Sequence, residues 1–295
     1  MHRTQRITAG GIDFCKTYDD PAPRNFGQNH CHDGYEILYV AEGKGRYIIE
    51  GSAYAMRPGT LMVIRPATYH FVDVSREGAY ERFVVNFPET SLVEAARPLL
   101  AGLCTAEGCG FYSAAALRPS LLSAFERFNL AAGLTEEKRT TYMQMLLSEI
   151  VILLSSVRPD DVADNAELGA RVIRYLNANI EGGCLSLDRI ARHFFVSKYY
   201  LCRAFKKHNG ISIHGYLTQK RVLRAKQLME TGETAASSAY RVGFGDYSAF
   251  YRAYVKVTGE SPAGGRKGGA ESEKAEDKQE PETVGRDTEG GERNV

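Results

Sequence analysis

Short apolar segments with intervening turns dominate the first third of the chain. Between Tyr35 and Phe87, stretches rich in Val, Ile, Tyr and Phe are separated by turn-forming pairs such as Glu50-Gly51 and Pro58-Gly59. This pattern predicts strands at Glu36–Val40, Gly45–Ile49, Leu61–Ile64 and Arg82–Phe87. Short strands at this spacing favour a small antiparallel barrel or jelly roll, whose open end is a common place for a small ligand.

After Pro88 the apolar residues recur at helical spacing. The pattern predicts helices over Ser120–Leu130 and Glu136–Ser155. Either these helices cover the open side of the barrel, or the longer one pairs with its counterpart in a dimer; the sequence leaves both arrangements open. The following segment, Val157–Glu167, contains a proline and several aspartates and predicts a linker.

From about Leu168 to Thr258 the pattern is helical and contains a repeat. Three pairs of residues recur 49 positions apart, namely Leu201 and Phe250, Phe205 and Tyr254, and Gly210 and Gly259. Each copy predicts a helix-turn-helix unit, and a unit this short is expected to share one core with its neighbour. A helix over Tyr216–Met229 would fix the distance between them. Two such units can enter successive major-groove segments about one helical turn apart.

The distribution of charge separates the same regions. Residues 165–267 contain 17 Lys+Arg and 7 Asp+Glu, whereas residues 1–164 contain 16 and 20, and residues 268–295 contain 4 and 9. A basic domain beside an acidic one is typical of a nucleic-acid-binding domain joined to a domain with another role.

Cysteine usage and hydropathy indicate where the protein works. The six cysteines include no CxxC pair, so we expect reduced thiols. No apolar run approaches the roughly 20 residues that a membrane helix needs, and the first residues contain no apolar stretch typical of a secretory signal. These features predict a cytoplasmic protein without a membrane association.

The second helix of each repeat places polar, basic and aromatic residues on its outward face. Arginine can bond to guanine O6 and N7, and lysine can neutralise phosphates. A basic helix is often merely solvated, but two copies in register within the basic region favour DNA binding. The candidate DNA-binding residues are Ser197, Lys198, Tyr199, Tyr200, Arg203, Lys206 and Lys207 in the first unit, Arg221 on the connecting helix, and Asp246, Tyr247, Ser248, Tyr251, Arg252 and Lys256 in the second.

Three stretches carry a resemblance to a known family. IARHFFVSKYYLCRAFKKHNGIS, RAKQLMETGE and AYRVGFGDYSAFYRAYVKVTGESP are similar to the DNA-binding domain of AraC/XylS-type transcriptional regulators, over about residues 168–262. The resemblance implies that Tyr199 and Arg203, and Ser248 and Arg252, contact bases. Ala235 and Ser238 replace the branched apolar residues usual in the family, and Tyr254-Val255 replaces Phe-Lys. We therefore expect the second unit to contribute less affinity or order than the first.

The first domain resembles a cupin and the sensor half of the same regulators. The similarity rests on HCHDGYE at residues 30–36, on Pro58-Gly59 and on Pro66 to His70. It implies a ligand pocket, for which the candidates are Arg24, His30, His32, Glu36, Tyr39 and His70. Several tyrosines of the barrel wall could stack on a sugar.

The same resemblance raises the question of a metal. Metal-binding cupins use two His, a Glu and a third His, and His30, His32, Glu36 and His70 could supply this set. However, Thr68 stands where glycine is expected and one residue is missing before His70. A pocket-shaping role is therefore preferred, and no metal or cofactor is expected.

Together these patterns predict a multidomain chain. An all-β cupin-like barrel with covering helices would occupy residues 1–158, a linker 159–167, an all-α domain of two helix-turn-helix units 168–263, and a disordered tail 264–295. The predicted function is that of a ligand-responsive, sequence-specific transcription activator, not an enzyme. Its partners would be double-stranded DNA, a small-molecule effector, RNA polymerase and a second copy of the chain. Two alternatives are a cupin-type metalloenzyme with an accessory DNA-binding domain and an architectural DNA-binding protein with a vestigial barrel.

Overall fold

The first domain is built from two antiparallel sheets in the computed structural model, which describes residues 1–23, 30–75, 77–105, 108–113, 117–160, 168–180 and 185–262. One sheet has six strands in the order β1-β2-β8-β3-β6-β9, and the other has three in the order β5-β4-β7. The strands are β1 His2–Ala9, β2 Ile12–Asp19, β3 Tyr35–Glu42, β4 Gly45–Ile49, β5 Ser52–Met56, β6 Leu61–Ile64, β7 His70–Val74, β8 Tyr80–Phe87 and β9 Cys109–Tyr112.

The four predicted strands are confirmed and two of them are longer than predicted. β3 pairs Ile37 with Val63 of β6 on one side and with Val85 of β8 on the other. Sequence reasoning did not name β5 and β7, and it missed β1, β2 and β9. The first five residues of β1 are exposed, so this strand lacks the apolar alternation by which a half-buried strand is recognised.

The space between the two sheets is filled with side chains. Leu38 and Met62 from the six-stranded sheet meet Tyr47, Ile49 and others from the three-stranded sheet in one buried cluster. Successive side chains of a strand point to opposite faces, so the neighbours of Leu38 in β3, Ile37 and Tyr39, belong to a second cluster on the outer face of the large sheet.

Helices cover that outer face. The elements are 3-10 helices at Glu89–Ser91, Glu94–Gly102 and Phe128–Gly133, and the helices α1 Arg118–Arg127 and α2 Glu136–Ser155. Phe125 of α1 stacks on Tyr39 with ring centroids 5.4 Å apart, and Phe128 stacks on Phe14 at 4.7 Å. The bounds of α2 agree with the prediction. The covering arrangement is thus present, and α2 also exposes Met145 and Ile152 on its outer side.

The described residues of the second domain form six helices, and the core of this domain differs from the prediction. The helices are α3 Leu168–Ala178, α4 Leu187–His193, α5 Lys198–Asn209, α6 Ile213–Glu230, α7 Ala235–Arg241 and α8 Tyr247–Thr258. The expectation of one shared core is wrong, because each unit has its own buried cluster. The long α6 joins them: Tyr216 and Leu217 belong to the first cluster, and Val222 and Leu228 to the second.

Some sequence predictions lie outside the described residues. These are Arg24, Cys184, the linker from 161 to 167 and the tail from 264 to 295. Within the described part, the cysteines Cys15, Cys31, Cys104, Cys109 and Cys202 are free thiols. No helix in the same part is long and apolar enough to cross a membrane.

Candidate DNA-binding surface and effector site

Each helix of the first unit begins at a serine that caps it. Ser186 accepts a hydrogen bond from the backbone N–H of Arg189 before α4, and Ser197 accepts one from that of Tyr200 before α5, both at 3.2 Å. These bonds satisfy N–H groups that a helix leaves free at its start. α5 ends at Gly210, which adopts a left-handed φ of 71°. The caps fix where α5 begins and ends, and therefore which of its residues face outward.

The second unit repeats this arrangement with a longer turn. Thr234 caps α7, and Asp246 caps α8 by accepting from the backbone N–H of Ala249 at 2.7 Å. The second helices of the units match at an offset of 49 residues, but α4 and α7 match at 48, because the second turn contains one residue more.

Nearly all of the predicted DNA-binding residues are exposed on these two helices and their caps. Tyr199 is 75% exposed, and Leu201 and Phe205 on the opposite face of α5 are completely buried. The residues with exposed side chains are Ser197, Lys198, Tyr199, Tyr200, Arg203, Lys206 and Lys207 in the first unit and Asp246, Tyr247, Ser248, Tyr251, Arg252 and Lys256 in the second. Each unit thus presents one arginine at the middle of an exposed helix face, flanked by tyrosines and lysines.

Arg221 has a different environment from the other predicted residues. It is half-buried, and its guanidinium group donates to the carbonyl oxygen of Gly243, in the turn of the second unit, at 3.0 Å. A side chain at Gly243 would have its Cβ 3.1 Å from the same guanidinium group. Burial lowers the pKa of Arg221 from its ordinary value. The structure therefore gives Arg221 a role in holding the second turn against α6.

The core of the second unit contains a polar group without a partner. Ser238 is completely buried, and its hydroxyl oxygen has no hydrogen-bond partner among the described residues. Burying a hydroxyl without a partner costs about 1 to 3 kcal/mol. The departure from the family pattern noted at Ser238 thus places an uncompensated polar atom in this core.

Three histidines and a glutamate meet at one end of the barrel. The ring nitrogens of His30, His32 and His70 supply ligand atoms that all lie within 4.8 Å of one another. The buried carboxylate of Glu36 lies beside them, with Oε2 3.3 Å from His32 Nε2 and 3.7 Å from His70 Nε2. The structure therefore brings together the four residues that the cupin resemblance had grouped.

The surroundings of Glu36 keep it ionised. Burial would raise the pKa of this carboxyl group, but the adjacent imidazoles of His32 and His70 outweigh burial and hold the pKa well below its usual range. For His32 the balance is similar: burial lowers the pKa, whereas the hydrogen bond and charge of Glu36 raise it overall. The hydroxyl of Tyr47 donates to Glu36 Oε1 at 2.6 Å, and burial next to that carboxylate raises the pKa of Tyr47 well above its ordinary value.

A cleft of about 1320 Å³ opens beside this cluster, between the barrel and α6. His30, His32 and Glu36 line its barrel side, and Lys220 and Lys226 line its helical side, together with Asn177, Arg224, Gln227 and other residues. This is larger than the 300–1,000 Å³ that is usual for small-molecule pockets. A ligand in this cleft would touch both domains.

Tyr39 does not reach the cleft. It is 1% exposed and packs between Phe83 and Phe125 in the cluster under the helices. The cavity lies at the end of the barrel, as predicted, but Tyr39 points to the face that the helices cover and does not line it. Strand alternation could have assigned Tyr39 to the face opposite Glu36, because the two residues are an odd number of positions apart.

A buried carboxylate joins the barrel to the helical domain. Glu50, 5% exposed, accepts hydrogen bonds from the hydroxyl of Tyr216 at 2.5 Å, from Asn177 Nδ2 at 3.3 Å and from the backbone N–H of Tyr69 at 2.9 Å. Lys220 Nζ forms an ion pair with it at 2.5 Å. A buried charge is tolerated when it is paired and hydrogen-bonded, and Glu50 meets both conditions.

Two further contacts connect the domains. His208 of α5 bonds through Nε2 to the carbonyl oxygen of Gly51 at 2.7 Å. Gly51 has a φ of 79°, and a Cβ there would lie 2.9 Å from the backbone of Ala170 in α3, so glycine is required by both conformation and space. Lys226 of α6 forms an ion pair with Asp33, next to His32. Sequence reasoning missed this interface, because Glu50-Gly51 gave only a turn signal and no pattern indicated that Glu50 is buried.

This architecture defines a class of protein: a sensor barrel attached to a double helix-turn-helix domain. A family model described as an AraC-like ligand binding domain matches residues 11–167, and one described as a helix-turn-helix domain matches residues 190–268. The chain therefore belongs to the AraC family of transcriptional regulators, as the resemblance had indicated.

Relatives that match over most of the chain are regulators of the same family. The raffinose operon transcriptional regulatory protein RafR of Pediococcus pentosaceus is 25% identical over 81% of this chain and 87% of its own length. The HTH-type transcriptional activator RhaS of Escherichia coli strain SMS-3-5 is also 25% identical, with the same coverage of both chains. Among solved structures, the AraC-like transcriptional activator CuxR is 14% identical with a TM-score of 0.38, covering 80% of this chain and 82% of that one.

Proposed function

We propose that this regulator is a ligand-responsive, sequence-specific activator that has no catalytic role. One observation supports the proposal most strongly: α6 carries both helix-turn-helix units and also lines the cleft beside the histidine cluster. A ligand shifts a conformational equilibrium only if it binds two arrangements differently. A ligand that touches the barrel and α6 together meets this condition, because its contacts depend on how the domains are docked.

The DNA site has two sub-sites, one for each unit. The exposed faces of α5 and α8 insert into successive major-groove segments about one helical turn apart. Arg203 and Arg252 contact bases, Tyr199 and Ser248 contact bases or the adjacent backbone, and Lys207 binds phosphate. The caps Ser197 and Asp246 position the first turn of each helix.

The effector is a small polar molecule, and a sugar is the first class to test. The names of the relatives RafR, of a raffinose operon, and of the activator RhaS support a small-molecule response and activation. The cleft offers charged and hydrogen-bonding side chains from both domains, among them Glu36, Asn177 and Lys220. Such groups suit hydroxyl-rich ligands.

The active species is a homodimer in the cytoplasm that contacts RNA polymerase. Met145 and Ile152 lie about two turns apart on the outer side of α2, 61% and 52% exposed, and Leu130 nearby in sequence is 64% exposed. These apolar side chains support a helix-to-helix contact between two copies. The test is sedimentation of the full chain with and without Met145→Glu, which is expected to shift the population towards monomer.

Selection from a random duplex library tests the proposed function. The full-length protein is used at about 0.15 M salt, where nonspecific attraction is screened. The expected result is two enriched boxes about one helical turn apart. The selected duplex then serves to screen sugars for a change in affinity. No enrichment with or without sugars would contradict the proposal, and unselective binding with a steep salt dependence would favour an architectural protein.

The histidine cluster favours one alternative function, a metalloenzyme with an accessory DNA-binding domain. Three imidazoles and a carboxylate are a ligand set used by metal enzymes. Substrate turnover by the metal-loaded protein at a rate independent of DNA would support this alternative. Metal binding without turnover would leave the regulator as the better account.

A further inference from the structure

The ring nitrogens at the barrel end have defined roles. His32 Nδ1 lies 2.9 Å from the carbonyl oxygen of Gly34, and His70 Nδ1 lies 2.8 Å from that of Thr68. A carbonyl oxygen only accepts hydrogen bonds, so both Nδ1 atoms carry the proton. In the neutral rings both Nε2 atoms then present lone pairs, and both are directed towards Glu36 Oε2.

This convergence favours a positive charge between the acceptors, which a proton on His32 Nε2 or a metal ion can supply, but a proton on His32 leaves His70 Nε2 without a partner. His70 Nε2 is buried and has no hydrogen-bond partner among the described residues. Two ligand atoms of one tetrahedral ion lie about 3.4 Å apart when each metal–ligand bond is about 2.1 Å long. The distances from Glu36 Oε2 to the Nε2 atoms of His32 and His70, 3.3 and 3.7 Å, are close to this value. Bonds from backbone carbonyls to the outer ring nitrogens are also the usual way in which metal-binding histidines are oriented.

The cluster is also held by the backbone. His30 and His70 exchange two backbone hydrogen bonds, at 3.2 and 2.9 Å, and the backbone N–H of Ala67 donates to the carbonyl of His32 at 2.8 Å. The two ligand-bearing segments, residues 30–33 and 67–70, are therefore paired. The ligand positions are set by this pairing as well as by packing.

Each histidine is adjacent in sequence to a residue that touches the DNA-binding domain. Cys31, after His30, packs against the core of the first helix-turn-helix unit. Asp33, after His32, pairs with Lys226 of α6. Tyr69, before His70, stacks on Tyr216 with ring centroids 4.7 Å apart.

We propose that His30, His32, His70 and Glu36 bind one divalent first-row transition metal ion, and that this ion stabilises the two segments on which the DNA-binding domain docks. Imidazole and carboxylate ligands suit Zn²⁺, Fe²⁺, Co²⁺ and Ni²⁺. When bound, the ion supplies a Lewis-acidic point at the barrel end of the cleft. The regulatory part rests on the proposed function, since the docked domain is the DNA-binding one. This assignment goes beyond the expectation from sequence, which was that no metal binds.

The metal site is tested on the full chain after removal of metal with a chelator. Calorimetric titration with Zn²⁺ and visible absorption of bound Co²⁺ give stoichiometry and affinity. The wild type and the control His214→Gln, an exposed histidine of α6, are expected to bind one ion per chain. His30→Gln, which changes an exposed ligand and spares the core, is expected to bind at least about tenfold more weakly. Absence of binding, or equal affinity of His30→Gln and wild type, overturns the metal site.

Coupling to docking is tested without DNA, so a failure here is distinct from a failure of the proposed function. Hydrogen exchange of α6 is expected to slow when Zn²⁺ is added. Coupling between metal binding and docking is reciprocal. Lys226→Met removes a docking contact and no metal ligand, so this variant is expected to bind Zn²⁺ more weakly than the wild type. The factor should equal the ratio of its effects on docking with and without bound metal. Unchanged exchange of α6 together with unchanged Zn²⁺ affinity of Lys226→Met overturns the coupling.

Discussion

The two helix-turn-helix units have the same helices and caps but different surroundings. The core of the first unit includes Tyr69 of the sensor barrel. On α6, Tyr216 forms a hydrogen bond and Lys220 an ion pair with the buried Glu50 of the barrel. Among the described residues, the cluster of the second unit is drawn from α6, α7, α8 and the turn between them, and the buried Ser238 of α7 has a hydroxyl without a hydrogen-bond partner. The first unit is therefore the one that the sensor can influence directly, and the second follows through α6.

The turns of the two units differ as well. Phe195 lies at φ 55° in the first turn, where the second unit has Gly243 at φ 91°. A left-handed conformation is strained for a bulky residue and natural for glycine. Phe195 is also 96% exposed, so packing within the described chain does not offset that strain. The first unit is therefore held by the barrel, and its turn is more strained than that of the second unit.

The largest expected effect is that of Glu50→Ala. It removes one partner of a buried ion pair and leaves Lys220 uncompensated, which costs about 3 to 5 kcal/mol. We expect the loss to fall on the docked first unit, so hydrogen exchange of α3 and α5 should accelerate more than that of α8. Glu233→Ala, which removes an ion pair with the half-exposed Arg241, is the control with little expected effect. Equal acceleration of both units would contradict the comparison.

DNA affinity should distinguish the units next. Arg203→Ala is expected to weaken binding to the selected duplex by about 1 to 3 kcal/mol, and Arg252→Ala by less. Lys207→Ala, a phosphate contact, should instead weaken binding to all sequences alike and reduce its salt dependence. Fluorescence anisotropy on specific and scrambled duplexes measures all three. A larger effect of Arg252→Ala would reverse the order of the units.

A smaller change is expected from Ser238→Ala. It removes a buried hydroxyl without a partner, and we expect the second unit to gain about 1 kcal/mol in its free energy of unfolding. Ala235→Ile, at a partly buried position of the same core, tests underpacking separately. Chemical denaturation measures both variants. A loss of stability in Ser238→Ala would show that its hydroxyl has a partner in solution.

The turn variants are expected to have small effects that are opposite in sign in the two units. A left-handed conformation costs a non-glycine residue about 1 to 2 kcal/mol, and Phe195→Gly removes that cost. Glycine also raises the entropy of the unfolded chain, so the expected net gain in the free energy of unfolding is about 0.5 kcal/mol. Gly243→Ala imposes that strain and places a Cβ against Arg221, so a loss of about 1 kcal/mol is expected. Thermal unfolding of both variants checks the signs. A stability loss in Phe195→Gly would mean that the phenyl ring packs in solution.

Local patterns in the sequence predicted what depends on neighbours in sequence. The bounds of α2 and the exposed face around Arg203 both follow from spacing over a few residues. Glu50, Asn177 and Tyr216 are far apart in sequence and meet only through docking, which no local pattern encodes. For the same reason the sequence placed the ligand site at the open end of the barrel and gave no sign that α6 forms its other wall.

The central claim is that two unequal units contact two DNA sub-sites. Its most direct test is duplex selection run in parallel on the wild type, Arg203→Ala and Arg252→Ala. The predicted result is a strong box and a weaker box about one helical turn apart in the wild type. Arg203→Ala should lose base preference in the strong box, and Arg252→Ala in the weak one. If both variants lose preference in the same box, or neither loses any, the account of two DNA-binding units is wrong.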